Sequence, residues 1–506
     1  MELTRLIEHI SPQRISGPRD ASIEVGSLAY DSRKVEPGGV FFALRGEHAD
    51  GHRFIDQAVK NGAVAVVMEE NRELPIGTVG IQVANARLAM ARIVSVFFGF
   101  PTTSIPVIGV TGTNGKTTTT YLIESIFRAG GYRPAVLGTI NYRFENTIRP
   151  SVHTTPESLD LMEIATGFCR DGADALVLEV SSHALAQYRV DGLDFSVGVF
   201  TNLTPEHLDY HRNMGDYYAS KKRFFDELLE RSGGRAVINL DDPYGQSLAA
   251  EIPDALTFGR TSSAAMVKPE SVEASLEGIH GHLRSPVGGI ELHSPLVGTF
   301  NIQNVLAAAA TGLAAEIGPE QISKGLAKAP QVPGRMERVE NDRGAVILVD
   351  YAHTGDALEK ALAAVKDLEP KRILTIFGCG GDRDRAKRPV MGEVACRFSD
   401  LAIVTSDNPR NEDPAAIIED IHVGCRNVHD QPLDLSAAAS GDQKGFVTIA
   451  DRREAIRFAV RCLGERDVML VAGKGHEDYQ VIGPETLHFD DREEVRKALS
   501  DAEGDR

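Results

Sequence analysis

Val107-Ile108-Gly109-Val110, followed directly by Thr111-Gly112-Thr113-Asn114-Gly115-Lys116-Thr117-Thr118, is the stretch that decides the fold of this 506-residue chain. The apolar run predicts a buried strand, and the glycine-rich loop leads into a predicted helix over Thr117–Ala129. Backbone N–H groups of such a loop, together with a helix N-terminus, bind phosphates. The segment therefore predicts a nucleotide-binding loop in which Lys116 reaches the β- and γ-phosphates and the Thr117 hydroxyl holds Mg²⁺.

The loop is a variant of the common phosphate-binding motif. The general motif has a glycine five positions before Gly115, and this chain has Val110 there. Strand, loop, Gly-Lys-Thr and helix nevertheless follow one another in the required order. We therefore favour a nucleotide site over a glycine-rich turn without a ligand.

Proline-containing linkers divide the chain into three predicted blocks, residues 1–105, 106–332 and 333–506. The first linker is Phe100–Pro106, and the second is the hinge Val332-Pro333-Gly334. The strands predicted after the phosphate loop are Ala175–Val180, Val197–Phe200, Ala236–Leu240, Val346–Val349, Ile373–Phe377, Leu401–Thr405, Phe446–Ile449 and Val468–Val471. Helical segments such as Asp451–Leu463 alternate with them, which predicts an α/β protein with mostly parallel sheets, the last of Rossmann type.

The composition is that of a globular protein, with 42% apolar and 25% charged residues. The net charge of −18 argues against a protein whose main partner is nucleic acid or an anionic membrane. The five cysteines form no CxxC pattern, so we expect no disulfide framework, no structural zinc site and a reducing, cytoplasmic compartment. The charged start does not predict a signal peptide, and apolar runs such as Ala63–Met68 are far shorter than the roughly 18 residues of a membrane span.

Two polar segments follow strands of the second block. Glu179 ends an apolar strand, where α/β folds bind ligands, and is therefore a candidate Mg²⁺ ligand. A glutamate that caps the following helix is an equally good interpretation of Glu179 alone. The segment Thr201–His211 contains two histidines and two carboxylates, and we favour a functional role for this cluster.

The third block has polar loops after several of its predicted strands. Arg335 and Asp350 flank the first strand and could contact a nucleotide phosphate and ribose, although the residues alone favour a surface arginine and a turn aspartate. The loops Gly380–Pro389, Ser406–Arg410 and Gly473–Glu477 are rich in charged residues, and Arg410 can bind a carboxylate with two parallel hydrogen bonds. Because each loop follows a strand of one predicted sheet, we expect the loops to gather at one edge.

These segments together resemble the Mur ligase family of peptidoglycan synthesis. The resemblance covers nearly the whole chain and rests on an ordered set of motifs: Asp31-Ser32-Arg33, GTNGKTT at 112–118, EVSSH at 179–183, HLDYH at 207–211, DYAH at 350–353, GGDRD at 380–384, DNPR at 407–410 and GKGHEDYQ at 473–480. It implies three α/β domains: a uridine-nucleotide domain, a central P-loop-type ATPase domain and a C-terminal Rossmann-like domain that moves to close the site. It also implies a cytoplasmic, monomeric ligase that adds meso-2,6-diaminopimelate to UDP-N-acetylmuramoyl-L-alanyl-D-glutamate with ATP.

The resemblance also implies roles for single residues. The residues implied to bind ATP are Gly112, Thr113, Asn114, Gly115, Lys116, Thr117, Thr118, Asn304, Arg335 and Asp350. Those implied to bind the UDP-muramoyl-dipeptide are Ser27, Thr154, Thr155, Ser181, Gln187 and Arg189. Those implied to bind diaminopimelate are Arg388, Asp407, Asn408, Pro409, Arg410, Gly473 and Glu477. Those implied to serve the Mg²⁺ sites are Thr117, Glu179, His207 and Lys221, and the implied catalytic residues are Lys116, His207 and Lys221.

Lys221 is implied to be carbamylated, as an N6-carboxylysine that helps to bind the second Mg²⁺. Its neighbour is Lys222, and a solvent-facing helix lysine is the interpretation that the residues alone favour. Glu206 departs from the family pattern, in which many members have aspartate before the histidine; it keeps the charge on a longer side chain.

Three alternative functions remain at this point. One is a ligase that adds L-lysine to the same nucleotide, which Arg410 disfavours because lysine has no distal carboxylate. Another is a relative of folylpolyglutamate synthase, which the N-terminal block disfavours. The third is a P-loop switch or motor, which the displaced glycine and the acid-rich loops disfavour, and which would release phosphate without the ligase substrates.

Overall fold

The computed structural model describes residues 1–18, 23–46, 49–208 and 210–504. The strands are β1 Arg14–Ser16, β2 Ser27–Ala29, β3 Gly39–Phe42, β4 Ala63–Met68, β5 Val79–Gln82, β6 Val107–Thr111, β7 Pro134–Leu137, β8 Asn141–Phe144, β9 Thr147–Pro150, β10 Ala175–Glu179, β11 Val197–Phe200, β12 Arg235–Asn239, β13 Leu256–Phe258, β14 Lys268–Ser275, β15 Gly278–Ser285, β16 Gly288–Ser294, β17 Glu337–Val339, β18 Val346–Asp350, β19 Ile373–Phe377, β20 Leu401–Val404, β21 Gly445–Thr448, β22 Val468–Ala472, β23 Tyr479–Ile482 and β24 Glu485–His488.

The α-helices lie between these strands. They are α1 Leu3–Ile7, α2 Ile55–Lys60, α3 Ala86–Phe97, α4 Lys116–Ala129, α5 Ser158–Arg170, α6 Ser182–Ala186, α7 Met214–Arg223, α8 Glu230–Ser232, α9 Pro243–Glu251, α10 Asn301–Ala314, α11 Pro319–Ala327, α12 Gly355–Lys366, α13 Lys387–Phe398, α14 Pro414–Arg426, α15 Leu435–Ser440, α16 Arg452–Cys462 and α17 Asp491–Gly504. Two short 3₁₀ segments cover Ser32–Lys34 and Gly51–Phe54, and a π-helical segment covers Phe224–Leu229. Within the described ranges, no helix combines the length and the apolar character that crossing a bilayer requires.

The chain divides into two compact units. The first comprises Met1–Pro269, Arg284–Ile290 and Asn304–Gly325, and the second comprises Glu270–Leu283, Glu291–Gln303 and Leu326–Arg506. The two sheets that precede β14 belong to the first unit, and the sheet from β17 to β22 belongs to the second. The predicted boundary between residues 105 and 106 lies inside the first unit and stays a prediction.

Two sheets build most of the first unit. One has the strand order β1-β5-β4-β3-β2, and the other has the order β13-β12-β11-β6-β10-β7-β8-β9. In the larger sheet β13 through β7 run parallel, whereas β8 and β9 are added antiparallel. β6 lies between β11 and β10 with every residue buried, which explains why its sequence is a continuous apolar run. The phosphate loop therefore begins at the carboxyl end of a central parallel strand.

The second unit contains a sheet of order β17-β18-β22-β19-β20-β21. Only the edge strand β17 pairs antiparallel, and the remaining neighbours are parallel. β23 and β24 form a separate antiparallel hairpin. The parallel arrangement confirms the predicted α/β class, and the loops after β18, β19, β20 and β22 share the carboxyl edge of this sheet.

Several strands were not predicted from the sequence, among them β14, β15 and β16. The strands β14, β15 and β16 form a small sheet of their own. Their exposed residues alternate with buried or partly buried ones, so they offer no continuous apolar run.

The helix that carries Lys221 widens directly after it. α7 ends at Arg223, and the π-helical segment Phe224–Leu229 continues it into α8. Phe224 and Phe225 are both buried, and the Phe224 ring packs at 4.8 Å on the ring of Phe195. Such widened turns occur frequently at functional sites.

Candidate active site

Two glycines shape the phosphate loop. Gly112 has φ +144°, and a Cβ there would lie 1.9 Å from the Thr201 Oγ1. Gly115 has φ +85°, and a Cβ there would lie 2.4 Å from the Asn304 Oδ1. Both positions therefore require glycine for its backbone freedom and for space. The contact with Gly115 also places Asn304 against the loop, as expected for a residue of the nucleotide site.

Two lysines converge on the carbonyl oxygen of Gly112. The Lys116 Nζ donates to this oxygen at 3.0 Å and to the Thr113 carbonyl at 2.7 Å. The Lys221 Nζ donates to the same Gly112 oxygen at 2.9 Å. Two ammonium groups on one carbonyl repel each other, so the arrangement favours an anionic ligand between them.

Lys221 is almost completely buried, at 1% exposure, although it belongs to a run of three basic residues near the end of α7. Burial lowers the pKa of Lys221 well below its ordinary value, the nearby Lys116 lowers it further, and Glu206 opposes this change. The prediction from the residues alone, a solvent-facing lysine, is wrong. The Lys222 side chain is the one that faces outward, where it pairs with Asp226 and Glu251.

Glu179 ends β10 with its carboxylate among hydroxyl groups. Its Oε2 accepts hydrogen bonds from the Thr117 Oγ1 at 3.1 Å and the Thr139 Oγ1 at 2.9 Å, and its Oε1 accepts from the Thr139 N–H at 2.8 Å. Neighbouring ligands of an octahedral Mg²⁺ lie roughly 2.9 Å apart, given metal–oxygen distances of about 2.0–2.1 Å. The Thr117 hydroxyl and the Glu179 carboxylate thus fit two positions around one magnesium ion.

His207 lies in the loop after β11 with φ +57°, a left-handed conformation that is uncommon for residues other than glycine. Its ring is 6.1 Å from the ring of Tyr217, and the Lys221 Nζ is 4.7 Å from the centre of the same tyrosine ring. The Tyr217 hydroxyl lies 3.1 Å from the Thr113 Oγ1. Tyr217, which sequence reasoning missed, therefore connects His207, Lys221 and the phosphate loop. Asp209 lies outside the described residues.

Most residues predicted to bind the dipeptide lie close to Glu179. The Thr155 Oγ1 donates to the Glu179 carbonyl at 2.7 Å and accepts from the Ser181 N–H at 3.1 Å. The Thr154 Oγ1 lies 3.1 Å from the Thr139 Oγ1, which itself contacts Glu179. Hydrogen bonds thus run from the predicted dipeptide residues to the predicted Mg²⁺ ligand.

Arg189 and Gln187 extend this network. Arg189 donates to the Thr155 carbonyl at 2.9 Å and to the Gln187 Oε1 at 2.7 Å, and it pairs with Glu157 at 3.1 Å. Gln187 also lines a cavity of about 380 Å³, whose other lining residues are Arg45, Gly46, Glu69, Asn85, Arg87, Ala186, Tyr188 and Tyr210. This polar cavity, with its two additional arginines, was not predicted from the sequence.

Ser27, predicted to lie at the uridine end, is in β2 of the smaller sheet of the first unit. Among the described residues, its buried hydroxyl has no hydrogen-bond partner. A buried hydroxyl without a partner is costly, which is consistent with a group that binds a ligand.

In the second unit, Arg335 lies close to both Tyr351 and Asp350. The guanidinium carbon of Arg335 is 4.7 Å from the centre of the Tyr351 ring. The Asp350 carboxylate accepts from the Met336 N–H at 2.8 Å and from the Ala352 N–H at 2.9 Å. Burial raises the pKa of Asp350, whereas Arg335 and these N–H groups oppose the rise.

The loops after β20 and β22 bring together the residues predicted to bind diaminopimelate. The Asn408 Nδ2 donates to the Glu477 Oε2 at 3.1 Å. Gly473 lies beside Asp407, because a Cβ on this glycine would be 3.7 Å from the Asp407 Oδ2. Burial raises the pKa of Glu477, and the like charge of Asp407 raises it further. The cluster is thus acidic and suited to an ammonium group.

Pro409 and Arg410 complete this cluster. The Pro409 carbonyl accepts from the Glu412 N–H at 3.1 Å. Arg410 has φ +51° and donates from its Nη1 to the Gly381 carbonyl at 2.9 Å. Its backbone pairs with the hairpin, through Val481 at 3.0 Å and Gly483 at 2.7 Å.

Arg388 has no exposed surface and is held by protein groups. It donates to both carboxylate oxygens of Glu412, at 3.0 and 2.8 Å, and to Asp420 at 2.9 Å. It also reaches the Gly380 carbonyl at 3.3 Å. The Arg388 side chain therefore stabilises the loop after β19. A direct contact between Arg388 and the amino-acid substrate stays a prediction.

Comparisons with known proteins identify the class of this enzyme. The Mur ligase family, catalytic domain, matches residues 24–98; the Mur ligase middle domain matches residues 110–312; and the Mur ligase glutamate ligase domain matches residues 334–475. The chain belongs to the Mur ligase family, as predicted, and has its three-domain α/β architecture.

Individual proteins and solved structures are also similar to this chain. UDP-N-acetylmuramoyl-L-alanyl-D-glutamate--2,6-diaminopimelate ligase of Geobacter metallireducens is 52% identical over 99% of this chain and 98% of its own length. A solved structure of a ligase with the same name is 33% identical, covers 99% of this chain and 100% of its own, and has a TM-score of 0.72. Folylpolyglutamate synthase of Mycobacterium tuberculosis shares the fold, at 16% identity and a TM-score of 0.59, but covers only 76% of this chain and 92% of its own.

The shape of the phosphate loop generates a first prediction. Gly112→Ala should weaken binding of a non-hydrolysable ATP analogue by about tenfold or more, because the Cβ is forced into a left-handed backbone and onto the Thr201 hydroxyl. Isothermal titration calorimetry measures the Kd. The control is Gly167→Ala in α5, where the nearest side-chain atom is 3.9 Å away and helical geometry accepts alanine. An unchanged Kd in Gly112→Ala would contradict the assigned role of the loop.

Proposed function

We propose that this enzyme joins meso-2,6-diaminopimelate to UDP-N-acetylmuramoyl-L-alanyl-D-glutamate at the expense of ATP, in the synthesis of peptidoglycan precursors. The proposed amino-acid substrate is inferred from four residues of two loops, Asp407, Asn408, Arg410 and Glu477. The relatives named for the same reaction support it over their full length.

The chemistry begins with the dipeptide carboxylate. A carboxylate does not react with an amine at neutral pH, because oxide is a very poor leaving group. Transfer of the ATP γ-phosphoryl group to the D-glutamyl γ-carboxylate gives an acyl phosphate with a good leaving group. Lys116, already directed into the loop, would neutralise charge on the transferring oxygens.

Amide formation follows from this intermediate. The diaminopimelate amine attacks the acyl carbon and forms the C–N bond of a tetrahedral intermediate. The nitrogen then loses a proton, and the C–O bond breaks to release phosphate. Exclusion of water matters because water would hydrolyse the acyl phosphate. Thr117, Glu179, His207 and carbamylated Lys221 would hold Mg²⁺, which supplies further neutralisation of the phosphate charges.

Diaminopimelate has an ammonium and a carboxylate at each end. We infer that Asp407 and Glu477 receive the distal ammonium group and that Arg410 receives the distal carboxylate. The pairing of two acids with one arginine supports this, since lysine would satisfy the acids but leave the guanidinium without its carboxylate.

Carbamylation of Lys221 is supported by its surroundings. The uncharged amine would attack carbon dioxide, a C–N bond would form, and a proton would leave to solvent. The resulting carbamate places an anion next to Lys116, so the two side chains attract each other. It also supplies oxygen ligands, which Mg²⁺ prefers.

We further propose a cytoplasmic, monomeric enzyme. One chain carries all the residues assigned to the three substrates. The five cysteines are free thiols, as expected in a reducing compartment. Sedimentation velocity at enzyme concentrations used in assays measures the oligomeric state.

A phosphate-release assay tests the proposed reaction. Wild-type enzyme with ATP and Mg²⁺ should release phosphate only when both the UDP-muramoyl-dipeptide and diaminopimelate are present. Lys116→Ala should lose at least about 10³-fold of this rate, because the charge that stabilises the transferring phosphoryl group is removed. A P-loop switch would instead release phosphate from ATP alone, and that outcome would contradict the proposal.

Carbamylation is tested by comparing two neighbouring lysines. With ¹³C-bicarbonate, a carbamate carbon should appear in the NMR spectrum of wild type and of Lys222→Ala, but not of Lys221→Ala. Lys222 is the matched control, because its ion pairs with Asp226 and Glu251 keep it cationic. Lys221→Ala should be inactive. Full activity in this variant, or a signal that persists in it, would refute the assignment.

Arg410 decides between diaminopimelate and lysine. Leaving a buried polar partner unsatisfied penalises an analogue that lacks one group by about 10⁴-fold, so wild type should scarcely use L-lysine. Arg410→Ala should lose most activity with diaminopimelate, and Arg410→Lys should restore little, since lysine cannot make a two-pronged contact. The measurement is kcat/KM for both amino acids. Equal use of the two by wild type would overturn this assignment.

A further inference from the structure

Lys474 is a fully buried charged group beside the predicted amino-acid site. It lies in the loop after β22, and its side chain has no exposed surface. Its Nζ donates to the Tyr479 carbonyl at 2.6 Å and to the Asn408 Oδ1 at 3.1 Å, and it lies 3.2 Å from the Asp407 Oδ1. Two of the three N–H donors of the ammonium group are thus hydrogen-bonded, and the contact with the Asp407 Oδ1 is an ion pair without a hydrogen bond. All three oxygens belong to the protein.

The lysine determines how the Asn408 amide is oriented. The Asn408 Oδ1 accepts from both the Lys474 Nζ and the Val481 N–H, the latter at 2.9 Å. The amide nitrogen cannot face an ammonium group, because both are donors. The Nδ2 is therefore directed to the Glu477 Oε2, 3.1 Å away. Lys474 thus acts on Asp407 and Asn408 directly and on Glu477 through Asn408.

The lysine also sets the charge of the cluster. Asp407 and Glu477 are like charges, and Asp407 raises the cost of ionising Glu477. Lys474 opposes this effect on Glu477 and neutralises one of the two carboxylates. The pair is then left with one net negative charge, which matches one ammonium group. The charged or titratable side chains that act on Glu477 are Asp407, Lys474, Arg410, Arg452, Tyr351 and Tyr479.

We propose that Lys474 is a positioning residue for the amino-acid substrate: its ammonium group fixes Asp407 and Asn408, and through Asn408 also Glu477, in the arrangement that receives the ammonium end of the diamino acid. The proposal rests on the function proposed above. It assigns Lys474 no contact with the substrate. Loss of the Lys474 side chain should consequently affect the binding of the amino acid and not that of the other two substrates.

The test measures the KM of each substrate in two variants. Lys474→Met removes the charge and the donors, and Lys474→Gln removes the charge but keeps an N–H donor for Asn408 or the Tyr479 carbonyl. Both should raise KM for diaminopimelate by at least about 30-fold, as expected when one member of a buried charge pair is lost. The KM values for ATP and the UDP-muramoyl-dipeptide should stay within about threefold of wild type. Lys497→Met, at an exposed lysine of the same unit, is the control and should match wild type.

A second readout separates positioning from general loss of structure. Without Lys474, the pKa of Glu477 should rise, because the cation that lowers it is gone. The acid limb of kcat/KM for diaminopimelate should therefore move to higher pH in both variants. If Lys474→Met does not fold, Lys474→Gln decides the question.

Different outcomes reject different statements. If wild type does not use diaminopimelate, the proposed function fails, whatever the variants do. If wild type uses it and Lys474→Gln keeps a wild-type KM for it, only the positioning role is overturned. An equal rise of KM for all three substrates, with an unmoved acid limb, also overturns that role.

Discussion

The site in the first unit depends on one electrostatic constraint, the meeting of two lysine ammonium groups at the Gly112 carbonyl oxygen. The positive charge of Lys116 and burial lower the pKa of Lys221, and an anion beside the two amino groups would relieve this unfavourable arrangement. The loop begins at a central parallel strand, its glycines bring backbone N–H groups forward, and Tyr217 packs beneath Lys221.

Sequence reasoning was most successful where local signals were strong. β11 and β19 have the predicted bounds, α4 begins one residue before its predicted start, and β10 ends one residue before its predicted end. The three strands are buried on both faces and therefore carry nearly continuous apolar runs. The motif residues also lie at strand ends, as the βαβ alternation predicted. The small sheet of β14, β15 and β16 was missed because it is half exposed and has no such run.

Residues that act across long sequence distances could not be predicted in this way. Tyr217 reaches Thr113, 104 positions away, and Lys474 reaches Asn408, 66 positions away. Nothing next to either residue in the chain indicates these partners. His207 and Arg410 present the same difficulty, because both have left-handed backbones although neither is glycine. Such strained conformations cost about 1–3 kcal/mol and persist only where surrounding contacts enforce them.

The π-helical segment after Lys221 has a consequence for helical phase. A widened turn contains one residue more than an α-helical turn, so the residues after it are rotated by roughly 100° relative to an uninterrupted α-helix. The helix can therefore direct Lys221 toward the phosphate loop at one end and still bury Leu228 and Leu229 at the other. Removing one residue between positions 224 and 229 would restore a regular α-helix. Lys221 and the two leucines could then no longer face inward together.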